Sequence, residues 1–170
     1  KAVRRKEGLE FIEILGSTDG LHVMLFHGYG ADAQDLASLA QVLKVPNGTN
    51  WYFPEGPMQV PIGPGFFGKA WFPIDIAAYD NAIRSGDHQK ISAHRPPTLT
   101  NARKTALDMI TRLKIPFNKL IIGGFSQGGM LATDIVMHSE VSPKALVLLS
   151  STMLDEKNWG DLAVRHKGLK

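Results

Sequence analysis

The chain has 170 residues, a formal net charge of +3, 44% hydrophobic and 21% charged residues, and no cysteine. This is ordinary composition for one globular domain with a substantial core, and the missing cysteines exclude disulfide staples, thiolate metal sites and a cysteine nucleophile. The basic residues are scattered except at the two ends, "KAVRRKEG" and "RHKGLK", which read as solvated termini, so no basic face is laid out for nucleic acid.

In chain order, residues 9–15, "LEFIEIL", alternate apolar and polar side chains at period two, the mark of a half-buried strand. The turn signal "STDG" follows, so the spacing predicts a hairpin with residues 22–28, "HVMLFHG". Residues 32–45, "DAQDLASLAQVLKV", place Leu36, Leu39, Ala40 and Leu43 at helical spacing behind Asp32 as N-cap. "NWYFPEGP" reads as a short strand ending in a turn. Residues 54–73, "PEGPMQVPIGPGFFGKAWFP", are too dense in proline and glycine to predict regular structure, and "SGDHQKISAHRPP" reads as a mobile polar connection. His88 and His94 in that connection lack the matched carboxylates that a metal site needs. From Thr98, "TLTNARKTALDMITRLK" carries Ala102, Ala106, Met109, Ile110 and Leu113 on one helical face. Then come "KLIIGG" as strand, "QGGMLATDIVMHS" as helix and "KALVLLSS" as strand. Apolar strands separated by amphipathic helices predict a single α/β domain with a mostly parallel sheet covered on both faces.

The stretch "GGFSQGG" sets Ser126 between Gly124 and Gly128, where the strand turns sharply into the next helix. Glycines suit such a turn because strand and helix approach closely there, and the elbow lifts the serine hydroxyl over a helix N-terminus that favours a developing oxyanion. "FHGYGAD" follows the earlier strand "HVMLF", and its two glycines let the Tyr29 backbone N–H turn towards the serine as a second donor. His27 in this turn reads as a residue that holds the loop by hydrogen bonds, not as a general base.

With "HVMLFHGYGAD", "YFPEGP", "AWF", "GFSQGGMLA" and "ALVLLSS" in order over roughly residues 9–152, the chain resembles the carboxylesterase/phospholipase family of α/β hydrolases, the group that includes acyl-protein thioesterases. The resemblance implies the α/β-hydrolase fold. It also implies Ser126 as nucleophile, the backbone amides of Gln127 and Tyr29 as oxyanion hole, and hydrolysis of carboxylic ester or thioester bonds without metal or organic cofactor. Pro73 stands where the family typically has an acidic residue after "WF", so mechanism transfers better than substrate preference. Phe66, Phe67 and Trp71 are expected to wall a site for a small-molecule or lipid-like ester.

In this fold the nucleophile is followed by an acid after a later strand and then by a histidine. Asp155 or Asp161 with His166 satisfies that order, but Asp161 and His166 are too close in sequence to enclose a strand and a helix, and "DLAVRHKG" reads as a surface helix ending at Gly168. The triad Asp and His are therefore expected beyond residue 170, in last strands and helices that this chain lacks. The alternative is a non-catalytic binding protein or remnant of a hydrolase. No membrane span or signal-peptide pattern is visible. A cytoplasmic location is expected, a start at Lys1 leaves a mature secreted form open, and a homodimer is compatible with the sequence.

Overall fold

The computed structural model describes residues 1–170. The strands are β1 (Ala2–Glu7), β2 (Leu9–Ile14), β3 (His22–Phe26), β4 (Asn50–Pro54), β5 (Met58–Gly63), β6 (Phe66–Ala70), β7 (Leu120–Phe125) and β8 (Ala145–Leu149). The helices are α1 (Ala33–Ala37), α2 (Leu39–Val42), α3 (Ile76–Ser85), α4 (His88–Ser92), α5 (Leu99–Arg112), α6 (Gln127–His138) and α7 (Glu156–Ala163). Six strands form one sheet in the order β1-β2-β4-β3-β7-β8, while β5 and β6 make a separate two-stranded ribbon. The pairs β3–β4, β3–β7 and β7–β8 are parallel, and β1–β2 and β2–β4 are antiparallel.

Strand alternation divides the core in two. Val23, Leu25, Trp51 and Phe53 face α1, whereas Met24, Phe26, Tyr52, Leu120 and Ile122 face the larger cluster that includes residues of α5, α6 and α7. The mostly parallel α/β architecture is as the residue pattern requires, with helices on both faces. Asp32 caps α1 through Oδ1, which accepts the Gln34 N–H at 2.8 Å. The expected single helix after it is broken at Ser38, which ends α1 and precedes α2.

Four expectations are corrected. The predicted hairpin between residues 9–15 and 22–28 does not form, because β4 inserts between β2 and β3. The connecting loop instead binds the start of β4: Asn50 Oδ1 accepts the Gly16 N–H at 2.9 Å, Asn50 Nδ2 donates to the Ser17 carbonyl at 2.9 Å, and the Asn50 N–H donates to Leu21 at 2.7 Å. The glycine- and proline-rich segment is not irregular: β5 and β6 pair antiparallel with a register shift at Pro61/Gly63, and the glycines supply the tip and the shift. The "mobile polar connection" contains α4, capped by Asp87, and Asp75 caps α3 before it. The basic start is an exposed edge strand, paired to β2 over its whole length, with Arg5 on Glu13 at 3.0 Å.

On the α6 side, Asp134 is buried and accepts from Arg103 at 2.6 Å and from the Trp159 indole at 2.9 Å. Those bonds satisfy a carboxylate that would otherwise be costly to bury, and they tie α5 and α7 to α6.

Candidate active site

Ser126 occupies the single position between β7 and α6, with φ 51° and ψ −114°. A non-glycine residue there carries about 1–3 kcal/mol of backbone strain, so surrounding contacts must hold it. Those contacts are close. A Cβ on Gly124 would lie 2.6 Å from the Phe26 carbonyl oxygen, and one on Gly128 would lie 2.0 Å from the same oxygen and 2.6 Å from that of His27. Both glycines are therefore required by backbone-to-backbone approach between the elbow and the end of β3. The Ser126 N–H donates to Leu149 at 2.9 Å, and its carbonyl accepts from Gly129 at 3.0 Å and Met130 at 3.2 Å. Ser126 is half-buried, and Phe125 before it is exposed.

The turn carrying Tyr29 packs against the elbow, since a Cβ on Gly28 would lie 3.0 Å from Phe125 Cδ1. Gly30, at φ 83°, donates to the Lys69 carbonyl at 2.7 Å, and Lys69 donates back to Ala31 at 2.8 Å. The β5–β6 ribbon is thus hydrogen-bonded to this turn. Gln127 N–H stands at the first position of α6, where a helix leaves its N–H groups without intrahelical partners.

His27 is 1% exposed and has both ring nitrogens engaged: Nδ1 lies 2.7 Å from the Gly28 carbonyl and Nε2 accepts the Gly56 N–H at 2.9 Å. That pattern fixes the neutral ring with its proton on Nδ1. Burial lowers its pKa below the usual histidine value, against the Gly28 carbonyl and the acidic Asp32, Glu55 and Asp35, which raise it. His27 holds the loop and has no free nitrogen for proton transfer.

The sequence marks Gln127 only for its backbone amide, but its side chain is fully buried and clamps a neighbouring segment. Its Oε1 accepts the Trp71 N–H at 2.9 Å, and its Nε2 donates to the Phe72 carbonyl at 2.7 Å. The Trp71 indole in turn donates to the His27 carbonyl at 2.8 Å, with its ring edge-on to Phe26. No local pattern marks this clamp, since α6 carries a second buried polar side chain, Asp134. Trp71 is 3% exposed, whereas Phe66 and Phe67 are 69% and 60% exposed on β6. The site residues therefore fall into two groups: Ser126, Gln127, Tyr29 and Trp71 are joined by contacts through the β3, β7 and "WF" segments, and Phe66 and Phe67 stand on the outer ribbon.

A mostly apolar cavity of about 190 Å³ lies between the "WF" segment, α3, α4 and α6. Phe72, whose carbonyl Gln127 holds, lines it together with Ile74, Tyr79, Ile91, Met130 and Leu154. Met130 lies one helical turn below Ser126 and donates its N–H to the Ser126 carbonyl.

None of the acids or the base that fit the chain order is hydrogen-bonded to Ser126. His166 is 5% exposed, with Nδ1 2.8 Å from Ser142 Oγ, and Ser142 precedes β8 while Ser126 follows β7. The two residues sit at opposite ends of parallel strands, separated by roughly 20 Å of strand length at about 3.3 Å per residue. Asp161 is exposed on α7, and Asp155 stands at the N-cap position of that helix without a side-chain cap bond, its carboxylate instead accepting from Asn158 Nδ2 at 3.0 Å and paired with Arg95 at 3.6 Å. No three His, Asp or Glu side chains are grouped to hold a metal ion, and no helix is long and apolar enough to cross a membrane.

Solved structures share this architecture. A carboxylesterase from Mesorhizobium loti superposes with a TM-score of 0.66 at 15% identity, covering 91% of this chain and 67% of its own. A carboxylesterase from Bacillus cereus gives 0.61 at 17% identity, covering 85% and 61%. A phospholipase/carboxylesterase from Dyadobacter fermentans gives 0.59 at 18% identity, covering 91% and 67%. At these identities the likeness establishes the α/β-hydrolase fold, and the chain spans about two thirds of the length of these proteins, or less. No curated protein matches the chain. The sequence profile of the phospholipase/carboxylesterase family matches residues 10–166, nearly the whole of the chain. With the sheet order and the glycine-packed serine turn, that match identifies the chain as a member of the phospholipase/carboxylesterase family of α/β hydrolases.

Proposed function

We propose that Ser126 is the nucleophile of a serine hydrolase that cleaves carboxylic ester or thioester bonds through an acyl-enzyme. The observation that carries this reading is the strained Ser126 backbone, held by two glycines against the end of β3. The hydroxyl attacks the substrate carbonyl, and the N–H groups of Gln127 and Tyr29 receive the oxyanion as the tetrahedral intermediate forms. Collapse expels the alcohol or thiol, and water then releases the acid. The activating histidine and the aspartate that orients it are supplied by sequence following residue 170, since His27 has both nitrogens occupied and His166 lies at the other end of the sheet.

The substrate is a small-molecule or lipid-like ester. Exposed Phe66 and Phe67 offer it apolar surface, whereas the buried Trp71 joins the "WF" segment to His27 and presents no wall to it. Mass spectrometry of the full-length natural protein after brief mixing with a p-nitrophenyl ester tests the reading. An acyl mass on the peptide containing Ser126, formed with a burst of p-nitrophenolate, is expected. Turnover without any Ser126 adduct in the wild type, and undiminished in Ser126→Ala, would overturn it. The placement of His166 favours a second reading, a binding protein that keeps the elbow without turnover; the full-length protein would then show neither burst nor adduct.

A further inference from the structure

The Ser151 hydroxyl, on the segment that leaves β8, donates to the carbonyl oxygen of Ser126 at 2.9 Å. That carbonyl belongs to the same planar trans peptide as the Gln127 N–H, so the two groups point in opposite directions. The Gly129 and Met130 N–H groups hold that carbonyl from the helix side, and the Ser151 hydroxyl adds a third, shorter bond, so together they aim the Gln127 N–H. A hydrogen bond to a peptide oxygen also polarises the N–H of that peptide, making it a stronger donor. The approach is built into the backbone: a Cβ on Gly129 would lie 2.6 Å from both Cβ and Oγ of Ser151, so only glycine there leaves the hydroxyl room to reach Ser126. Ser151 follows Ser150, which adopts φ 46° where the chain turns after β8.

We propose that Ser151 is a positioning residue for the oxyanion hole, its hydroxyl holding the Ser126–Gln127 peptide plane so that the Gln127 N–H faces the reacting carbonyl oxygen. This rests on the reading of Ser126 as nucleophile. The bond contributes through the transition state, where the oxygen becomes an anion, and little to binding of the neutral ester.

The test uses the full-length natural protein with Ser151→Ala, Ser151→Cys and Ser126→Ala. Turnover of a p-nitrophenyl ester is measured per active site titrated with a fluorophosphonate, together with the affinity for an aryl trifluoromethyl ketone, which forms a tetrahedral adduct. Ser151→Ala is expected to lower kcat about three- to tenfold, a part of the 10²–10³ lost when an oxyanion donor is removed outright. KM should stay within about twofold, and ketone affinity should fall by the same factor as kcat/KM. Ser151→Cys, a weaker donor, should fall between. An unchanged kcat per titrated site, or a loss confined to KM, in a protein whose Ser126→Ala variant is inactive would overturn the role of Ser151 alone. Full turnover by Ser126→Ala would overturn the nucleophile reading, and the role of Ser151 with it.

Discussion

The side-chain oxygen of Gln127 accepts the backbone N–H of Trp71 at 2.9 Å, while its nitrogen donates to Phe72 at 2.7 Å. The residue after the serine thus fastens the "WF" segment with its side chain, while its own N–H is the one proposed as an oxyanion donor. Gln127→Leu keeps the bulk and leaves two buried backbone groups unpaired, each costing about 1–3 kcal/mol. Thermal unfolding should show a drop of roughly 4–24 °C, at about 2–4 °C per kcal/mol for a domain of this size. A melting temperature equal to wild type would show that the clamp contributes nothing to the fold.

One substitution type should act in opposite directions at two glycines. Gly128→Ala places a methyl 2.0 Å from the Phe26 carbonyl, a backbone atom in the central sheet that cannot retreat, whereas Gly160 in α7 has nothing within 4 Å. Gly128→Ala should destabilise by roughly 3 kcal/mol or more. Gly160→Ala should stabilise by about 0.5–1 kcal/mol, the usual gain from replacing glycine in a helix interior. Denaturant unfolding of both variants measures this, and a Gly128→Ala protein as stable as wild type would contradict the packing described for the elbow.

Titration of His27 should appear in stability. Burial holds its folded pKa below the ordinary 6.5, so between that lowered value and 6.5 the unfolded chain binds more protons than the folded one. Stability therefore rises with pH through this window, is fully present above 6.5, and is lost as pH falls. His22, lowered chiefly by burial as well, adds a contribution of the same sign. In His27→Gln the difference in unfolding free energy between about pH 5 and about pH 7.5 should be smaller than in wild type. An identical pH dependence would mean that His27 does not titrate as a buried neutral ring.

Phe66 and Phe67 should separate binding from folding. Both are exposed, so replacing the pair by alanine should leave the melting temperature within about 2 °C of wild type. In the full-length protein the same change should raise KM more for long acyl esters than for acetyl esters, since each buried CH₂ is worth about 0.8 kcal/mol. Equal effects across acyl lengths would remove the pair from the substrate site.

The Ser126 elbow was legible in the sequence because its geometry demands particular residues. Gly124 and Gly128 meet backbone oxygens that only glycine tolerates, and the apolar run of β7 followed by the α6 periodicity located the turn between them. The order of the strands was less legible. Asp19-Gly20 does form a turn, but strand pairing depends on Asn50, thirty residues away, whose side chain binds the loop and whose strand takes the central place. The β5–β6 ribbon hid in a segment dense in glycine and proline because its stability comes from pairing with itself and with the Tyr29 turn, through Lys69, and not from an apolar pattern. The Gln127 clamp was invisible for the same reason: its partners, Trp71 and Phe72, are more than fifty residues distant.

The proposal that Ser126 is a nucleophile whose activating histidine is none of those in these 170 residues makes one direct prediction. It is tested most directly by fluorophosphonate labelling and p-nitrophenyl ester hydrolysis with the 170-residue chain, the full-length natural protein and its Ser126→Ala variant, after far-UV circular dichroism has established that each is folded. Fast labelling and turnover are predicted only for the full-length wild type, because losing the base of such a triad costs on the order of 10⁶ in kcat. A folded 170-residue chain that turned over at the full-length rate would contradict the account, and would require an activating base among the histidines already described.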